Sequence, residues 1–175
     1  MPNHSFSRRQ ILAGSATSVA GLVAAPAVHS AYISRDDGFP YEVTRSEADW
    51  REILSPAAFE TLREGGTEVP KSSPYWDSTA PGMYHCAGCG LPLYDAHWKV
   101  VLDIGWLFFK HSEPNSLLMG LDWPTESREE KYEPVVMMEI HCRRCGGHHG
   151  HLVSIDNKVL HCVNGVGMEF IPQQA

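Results

Sequence analysis

The spacing of apolar residues divides the chain into three parts. Ile11 to Val28 is an uncharged run of small and apolar residues. Between residues 44 and 66 the apolar positions recur at helical spacing, and from Tyr84 onward they form short runs between glycine and proline breaks. The pattern therefore predicts an apolar N-terminal segment, then two or three short helices, then a mainly β domain of antiparallel strands.

The two clearest helices are predicted between residues 44 and 64. Thr44 or Ser46 can cap the first helix, with Asp49 in its first turn. Ser55-Pro56 begins the second helix, and Gly65-Gly66 ends it, as glycine commonly does. The apolar stripe that the first helix would bury is Trp50, Ile53 and Leu54.

Strand-like runs occupy the C-terminal half of the chain. The most convincing is Val135 to His141, which directly precedes Cys142. Pro70 to Met83, rich in Pro and Ser, is predicted to be a loop. The other predicted strands include Ser154-Ile155, Val159 to His161 and Met168 to Ile171.

The first thirty residues have the order of a secretion signal. A polar start that contains Arg8-Arg9 precedes the apolar run, and Ala25-Pro26-Ala27 is a small-residue site of the kind that signal peptidases cut after. Ser7 to Leu12 also resembles a twin-arginine signal, with Ile11 where Phe is commonest. We therefore expect a twin-arginine signal peptide at residues 1–30, and export to the periplasm or another extracytoplasmic space.

An uncleaved N-terminal membrane anchor is the alternative. Gly14, Gly21, Pro26 and several hydroxyl groups keep the run weakly apolar, which favours cleavage. The interpretation gives a signal peptide at 1–30, a tether at 31–43 and one domain at 44–175. After signal cleavage we expect no stable membrane insertion.

The charge balance argues against a nucleic-acid partner. The chain has 14 basic and 21 acidic residues, and a formal net charge of −7. Loss of Arg8 and Arg9 with the signal would leave 12 basic residues against the same 21 acidic ones. A domain with this charge is a poor match for a phosphate backbone. We therefore expect a soluble domain that does not bind nucleic acid.

Two Cys-x-x-Cys pairs predict one zinc site. Cys86 and Cys89 form the first pair, and Cys142 and Cys145 form the second, with glycines beside each. Two intervening residues let one tight turn direct both sulfurs at a metal, and four thiolates close a tetrahedral, structural site. Because 52 residues separate the pairs, the fold must bring them together. Redox-active disulfides, a thioredoxin-type dithiol or an iron–sulfur centre are the alternatives.

Cys162 is the cysteine left over in this scheme. An odd cysteine in an exported protein is either a free reactive thiol or an intermolecular link, and the plainer alternative is a buried small hydrophobe. A neighbouring imidazole can lower the pKa of a thiol and so make it a nucleophile. The residues near it in sequence that could do so, or hold it in place, are His148, His149, His151, His161 and Asn164.

These motifs, in this order, resemble the B-type methionine sulfoxide reductases, which act on the R epimer of methionine sulfoxide. The resemblance runs from Trp50 to Pro172, about 120 residues. It implies that family's antiparallel β fold, with short N-terminal helices and one structural zinc site made by four cysteines. The segments that carry it are Gly65 to Pro70, Tyr84 to Leu93, Gly105-Trp106, Cys142 to Val153 and His161 to Asn164.

The resemblance implies a role for each of five residues. Cys162 is the nucleophile that attacks the sulfoxide sulfur, and it becomes a sulfenic acid as methionine leaves. His148 and His151 hydrogen-bond the sulfoxide oxygen, directly or through water, and help to protonate it. Trp106 is an aromatic wall for the substrate methyl group, and Asn164 positions the loop beside the nucleophile. The plainer alternatives are solvated loop histidines and a core tryptophan.

The substrate and reductant follow from the same resemblance. We expect methionine sulfoxide, free or in exported peptides and proteins, as the substrate. Many family members resolve the sulfenic acid with a second cysteine, often just before Gly-Trp. Val101 to Ile104 contains no cysteine. We therefore expect a single catalytic cysteine that is reduced by an external thiol or a thioredoxin-like protein.

Several positions near the predicted site depart from the family. Leu107 and Phe108 stand where the family has Pro and Ser, and Phe108 is expected to narrow the pocket. Leu160 replaces an Arg, and loss of that cation predicts a less acidic Cys162. His161 and Gly165 replace a Tyr and a Ser.

Two hypotheses about function therefore remain open. The first is a divergent, active sulfoxide reductase. The second is a catalytically inactive, family-derived zinc protein that acts as a binding or metal-handling module. Retention of the five residues with assigned roles favours the first, because a binding module has no need of that combination.

Overall fold

The computed structural model describes residues 38–122 and 136–174, so the expected signal peptide at 1–30 lies outside the described residues. Within these ranges, two short helices precede nine strands, which confirms the mainly β class. The helices are α1 (Glu47–Ile53) and α2 (Pro56–Glu64). The strands are β1 (Gly82–Cys86), β2 (Pro92–Asp95), β3 (Lys99–Val100), β4 (Leu107–Phe109), β5 (Leu117–Asp122), β6 (Met137–Cys142), β7 (His148–Ile155), β8 (Lys158–Val163) and β9 (Met168–Pro172).

The strands form two antiparallel sheets. The smaller has the order β2-β1-β9, and the larger has the order β3-β4-β8-β7-β6-β5. Single 3₁₀ turns at Ala96–Trp98 and Gly165–Gly167 lead from β2 to β3 and from β8 to β9, so each connects one sheet to the other. Among the described residues, no helix is both long and apolar enough to cross a membrane.

The two helices begin where their capping residues predict. Ser46 caps α1 in a capping box with Asp49, Ser55 caps α2, and Gly65 ends α2 in a left-handed conformation. One member of the predicted apolar stripe is wrong, because Ile53 is 51% exposed. In a helix of only two turns the i, i+4 pair Trp50 and Leu54 occupies the buried face, and Ile53 falls at its margin.

Most predicted strands lie within longer observed ones. Ser154-Ile155 is the end of β7, Val159 to His161 is the middle of β8, and Met168 to Ile171 is most of β9. β6 begins at Met137, and Val135 lies outside the described residues. The predicted loop ends earlier than expected, because Gly82 and Met83 already pair with β9.

The core lies between the helices, the smaller sheet and one face of the larger sheet. Tyr94 stacks on Phe109 with ring centroids 4.3 Å apart, and Tyr84 meets Phe109 edge to face at 5.3 Å. Leu62 brings α2 into the same cluster. Each such fully buried side chain contributes about 2–3 kcal/mol of hydrophobic stabilisation.

The larger sheet has a second face that carries polar groups. Phe108, Cys162, His151 and Glu139 lie directly opposite one another on β4, β8, β7 and β6. Residues in register across adjacent strands project from the same face, so these four define what we call the site face. Their neighbours along the strands point into the core: Leu107, Phe109, Ile140 and Val163.

Candidate functional site

Two matching turns hold the cysteine pairs. Each turn is closed by a glycine N–H that donates 2.8 Å to the carbonyl of the first cysteine, from Gly90 to Cys86 and from Gly146 to Cys142. Both glycines have φ near +70°, at 72° and 70°. This repeated geometry directs both thiols of each pair toward the same point.

The four sulfurs form one cluster that fits a tetrahedral metal. The ligand atoms of Cys86, Cys89, Cys142 and Cys145 all lie within 4.8 Å of one another. Two sulfur pairs are 3.7 Å and 3.5 Å apart. Zinc–thiolate bonds of about 2.3 Å place tetrahedral sulfurs about 3.8 Å apart, so the cluster fits the predicted ion.

The close approach of the four thiols shifts the pKa values of Cys142 and Cys145 in opposite directions. Donation from the Cys145 thiol lowers the pKa of Cys142, and the same pairing raises the pKa of Cys145. A central cation stabilises all four thiolates together and so removes this competition. The cluster is therefore best suited to a bound metal.

The described part of the expected tether lies against the second cysteine pair. The Val43 N–H donates 3.0 Å to the Arg144 carbonyl, and Glu42 accepts a 2.6 Å bond from Arg143. The Tyr41 ring would lie 3.0 Å from a Cβ at Gly146. Residues 41–43 thus cover the turn that presents Cys142 and Cys145.

Cys162 lies apart from the cluster, in the middle of the site face. It is half-buried on β8, between Phe108 of β4 and His151 of β7. Burial, together with the negative charge of Glu68, raises the pKa of Cys162 to about 11. Leu160 is two residues earlier on the same face, so the position that holds a cation in the family is apolar here.

A β-bulge brings His148 to the site face. Glu139 pairs with His151 and Ile140 pairs with Gly150, but His141 pairs with His148, so His149 is an extra residue in β7. In a regular strand, residues three apart point to opposite faces. The bulge cancels this alternation. The rings of His148 and His151 consequently lie with their centroids 5.2 Å apart.

Each of the two histidines is hydrogen-bonded to a carboxylate. His148 Nδ1 lies 2.6 Å from Glu139 Oε1, and both side chains are buried. His151 Nε2 lies 2.8 Å from Asp122 Oδ2 at the end of β5. Our sequence interpretation missed both carboxylates. A charged residue within the apolar run of β6 was the one signal that could have identified Glu139.

A third carboxylate, also missed, connects Asn164 and Trp106. Glu68 accepts bonds of 2.8 Å and 2.9 Å from the N–H groups of Gly165 and Val166. Its own N–H donates 3.0 Å to Asn164 Oδ1, and its carbonyl accepts 3.1 Å from Trp106 Nε1. Asn164 also donates 3.1 Å to a carbonyl of β7, at His149. Glu68 thus connects its own loop to Trp106 before β4 and to the turn after β8. Burial raises the pKa of the Glu68 carboxyl group.

The positions that depart from the family lie on both faces of the larger sheet and in the turn after β8. A Cβ at Gly165 would lie 2.1 Å from Ser73 Oγ and 2.8 Å from Leu107 Cδ1, so only glycine fits here. Phe108 is 1% exposed, directly opposite Cys162. His161 points to the core side, where its Nδ1 lies 3.1 Å from the Tyr94 hydroxyl, and burial lowers the pKa of His161. His161 therefore lies on the opposite face from Cys162.

The structure brings together four of the five residues with predicted roles. His148, His151 and Cys162 share the site face, and Asn164 follows β8 directly. Trp106 is half-buried just before β4 and is linked to Asn164 through Glu68. An isolated thiol beside two carboxylate-bound imidazoles, on a β domain with a separate metal-type cysteine cluster, is the arrangement of a thiol oxidoreductase.

Comparison with known sequences gives the family within that class. The SelR domain matches residues 54–172, which is more than half of the chain. The chain belongs to this family, that of the B-type methionine sulfoxide reductases.

Three similar proteins each match about three quarters of the chain or more. The chain is 38% identical over 135 residues to Peptide methionine sulfoxide reductase MsrB of Agrobacterium fabrum, a match that covers 75% of this chain and 94% of that protein. It is 37% identical over 133 residues to Peptide methionine sulfoxide reductase B5 of Oryza sativa, covering 73% and 90%. It is 29% identical over 145 residues to Peptide methionine sulfoxide reductase MsrB of Methylibium petroleiphilum, covering 81% and 100%.

Proposed function

We propose that this protein reduces the R epimer of methionine sulfoxide to methionine, with Cys162 as its single catalytic cysteine. One observation carries the proposal: Cys162 stands apart from the four-cysteine cluster and lies in register with His151 on the face that also holds His148. Family membership supports the reaction, because the relatives are named peptide methionine sulfoxide reductases.

The reaction balances with one thiol and one sulfoxide. The Cys162 sulfur attacks the sulfoxide sulfur, the oxygen passes to Cys162, and the products are a Cys162 sulfenic acid and the thioether of methionine. The sulfoxide is reduced and Cys162 is oxidised by the same two electrons. The proton that leaves the thiol is the one that the oxygen needs. No outside proton is consumed.

The surrounding side chains would move that proton and hold the substrate. His148 and His151 face the oxygen and carry the proton, each held by its own carboxylate. Trp106 forms the wall for the methyl group, and its indole N–H is held by the Glu68 carbonyl. Asn164 fixes the end of β8 through its bond to β7.

One zinc ion would be held by Cys86, Cys89, Cys142 and Cys145. When bound, it supplies a structural crosslink and takes no part in the oxygen transfer. Its second cysteine pair lies three residues before His148. The ion would therefore fix the start of the strand that presents both histidines.

Recycling would depend on an outside thiol. The chain has five cysteines, and four of them belong to the metal-type cluster. Use of one of those to form a disulfide with Cys162 would open the metal site. A thioredoxin-like protein or a small thiol is therefore the proposed reductant, and the substrate is methionine sulfoxide, free or in exported proteins.

We further propose that the protein is exported by the twin-arginine route, which carries folded proteins and so suits a domain that takes up its metal before export. Replacement of both Arg8 and Arg9 by Lys should leave uncleaved precursor inside the cell, detected by fractionation and immunoblotting. The matched control is replacement of Lys71 by Arg in the domain. Export of the double variant at the normal rate would refute this route.

Stereospecific turnover tests the reaction. The mature protein, with dithiothreitol as reductant, should convert a peptide containing the R epimer and leave the S epimer unchanged, as measured by chromatography of the products. Cys162→Ser should be inactive, although it retains the four-cysteine cluster. Equal turnover of both epimers, or activity in the variant, would contradict the mechanism. Absence of any turnover would favour the non-catalytic zinc module.

A further inference from the structure

A buried carboxylate lies directly behind one of the two histidines. Glu139 is 2% exposed, in the middle of β6. Burial of an ionised carboxylate costs several kcal/mol unless it is paired and hydrogen-bonded. Its partners include two imidazoles, with His148 Nδ1 at 2.6 Å and His141 Nδ1 at 3.8 Å. Only the 2.6 Å contact is short enough for a hydrogen bond, so Glu139 is hydrogen-bonded to His148 and not to His141 Nδ1.

The position of Glu139 also relates to the second histidine. Glu139 lies directly opposite His151, and the bulge at His149 carries the His148 ring over to the same side. Without the extra residue, His148 would face the core, away from the carboxylate. The bulge at His149 and the buried Glu139 thus act together to place the His148 ring against a carboxylate.

The 2.6 Å contact pairs His148 Nδ1 with Glu139 Oε1. In its ionised form Glu139 can only accept hydrogen bonds, and that form requires the proton to lie on His148 Nδ1. The opposite nitrogen, Nε2, then either carries a lone pair or, in the imidazolium, a second proton. The carboxylate stabilises the imidazolium and fixes the orientation of the ring, as the acid of a Ser-His-Asp triad does.

We propose that Glu139 is a positioning residue for sulfoxide reduction: it holds His148 by Nδ1 so that Nε2 is the atom that takes up and donates the proton. This inference rests on the proposed function, and it assigns to His148 one defined tautomer and to Glu139 a role. Asp122 holds His151 by the opposite nitrogen, Nε2, so the two histidines present different atoms to the site.

The decisive variant is Glu139→Gln, which preserves volume but removes the charge and offers His148 Nδ1 a neutral amide that can donate as well as accept. We expect kcat for the R epimer to fall about 100-fold while KM changes less than about threefold, because general acid–base catalysis is worth at least that much. Glu139→Asp, which keeps the charge, should recover part of the loss. Glu169→Gln, an exposed acid on β9, is the matched control and should leave kcat unchanged.

A spectroscopic readout separates positioning from structure. The ¹⁵N chemical shifts of His148 in the zinc-loaded wild type should report a proton on Nδ1, and in Glu139→Gln this preference should be lost while zinc content and circular dichroism are retained. A wild-type His148 protonated on Nε2 alone, or a folded Glu139→Gln variant with kcat within about threefold of wild type, would overturn the proposal. If Glu139→Gln does not fold, the test rests on two other measurements, the His148 tautomer of the wild type and the kcat of Glu139→Asp.

Failure of the proposed function is distinguished from failure of the positioning role by the activity of the wild type. A wild type that reduces neither epimer would refute the reductase reaction, whatever the variants do. In that case a His148 that still carries its proton on Nδ1 shows the pairing to be structural, and the positioning role falls with the reaction.

Discussion

At the scale of single residues, the surroundings of Cys162 do little to favour a thiolate. The thiol lies between Phe108 and His151, with Leu160 on the same face and the Glu68 carboxylate close enough to repel a thiolate. Phe108 and Leu160 leave the thiolate without a cation on their sides, and the charge of Glu68 disfavours it. The pKa of Cys162 at about 11 means that the resting enzyme holds a thiol at neutral pH.

This acidity predicts a steep pH dependence of alkylation. Because only the thiolate reacts, the rate of iodoacetamide addition to Cys162 should rise about tenfold per pH unit from pH 7 to pH 10, and should level off near pH 11. The measurement is the mass of zinc-loaded protein quenched at intervals. A rate that levels off at or below pH 9 would show that the site stabilises the thiolate.

Restoring a cation at residue 160 should reverse part of this shift. In Leu160→Arg an opposite charge near Cys162 lowers its pKa by about one unit or more, so alkylation at pH 7.5 should accelerate roughly tenfold. Leu160→Met, which keeps the residue apolar, is the control and should leave the rate unchanged. Equal rates in the two variants would mean that residue 160 does not govern the acidity of Cys162.

At the scale of secondary-structure elements, β7 determines which residues can cooperate. His148 and His151 share a face only because His149 is extruded as a bulge. Gly150, next to the bulge, has φ 152°, and a Cβ there would lie 2.0 Å from the Cys162 carbonyl. The glycine therefore permits the close approach of β7 to β8, which places the histidines beside the strand that carries Cys162.

Gly150→Ala should therefore disrupt the site as well as the fold. The added methyl group must separate β7 from β8, at a cost of about 3 kcal/mol or more, and activity should be lost even where the protein stays folded. Gly38→Ala has a similar positive-φ penalty of about 1–2 kcal/mol but open space around the new Cβ. Urea unfolding compares the two variants, and equal losses of stability would contradict the steric argument.

Local signals in the sequence were sufficient for some elements and not for others. Ser46, Ser55 and Gly65 mark the helix ends because capping depends only on neighbouring residues. The bulge at His149 depends on pairing with β6, and no periodicity within β7 could have revealed it. Glu139 was missed for the same reason, since its partner lies on another strand.

At the scale of the whole molecule, the cysteine cluster connects the two sheets. The first pair lies in the turn between β1 and β2 of the smaller sheet, and the second pair lies in the turn between β6 and β7 of the larger sheet. The sequence predicted the four ligands from their spacing. It could not show which sheets they join, because that depends on the pairing of distant strands.

The metal should therefore control the stability of the domain. Purified protein should contain about one equivalent of zinc, and Cys89→Ser should unfold the domain or lower its melting temperature sharply, since structural zinc contributes directly to folding. Cys162→Ser is the matched control and should keep both zinc and melting temperature. A metal-free protein that remains fully folded, or iron in place of zinc, would contradict this prediction.

The resemblance to the family predicts which residues form the site, but not the structural consequences of the positions that depart from the family. Leu107, Gly165 and Ser73 fit one another sterically, as the close approach at Gly165 shows. Such compensation is visible only when side chains from separate segments are placed together. The replacements therefore preserve the packing around Cys162 while they change its charge environment.

Mass spectrometry after a single turnover tests the central claim most directly. Zinc-loaded wild type is mixed with one equivalent of a peptide containing the R epimer, in the presence of a sulfenic-acid trap and without added thiol. We expect one trapped adduct on Cys162, one equivalent of reduced peptide and zinc still bound. An internal disulfide from Cys162 to a cysteine of the cluster, with release of zinc, would contradict the single-cysteine mechanism.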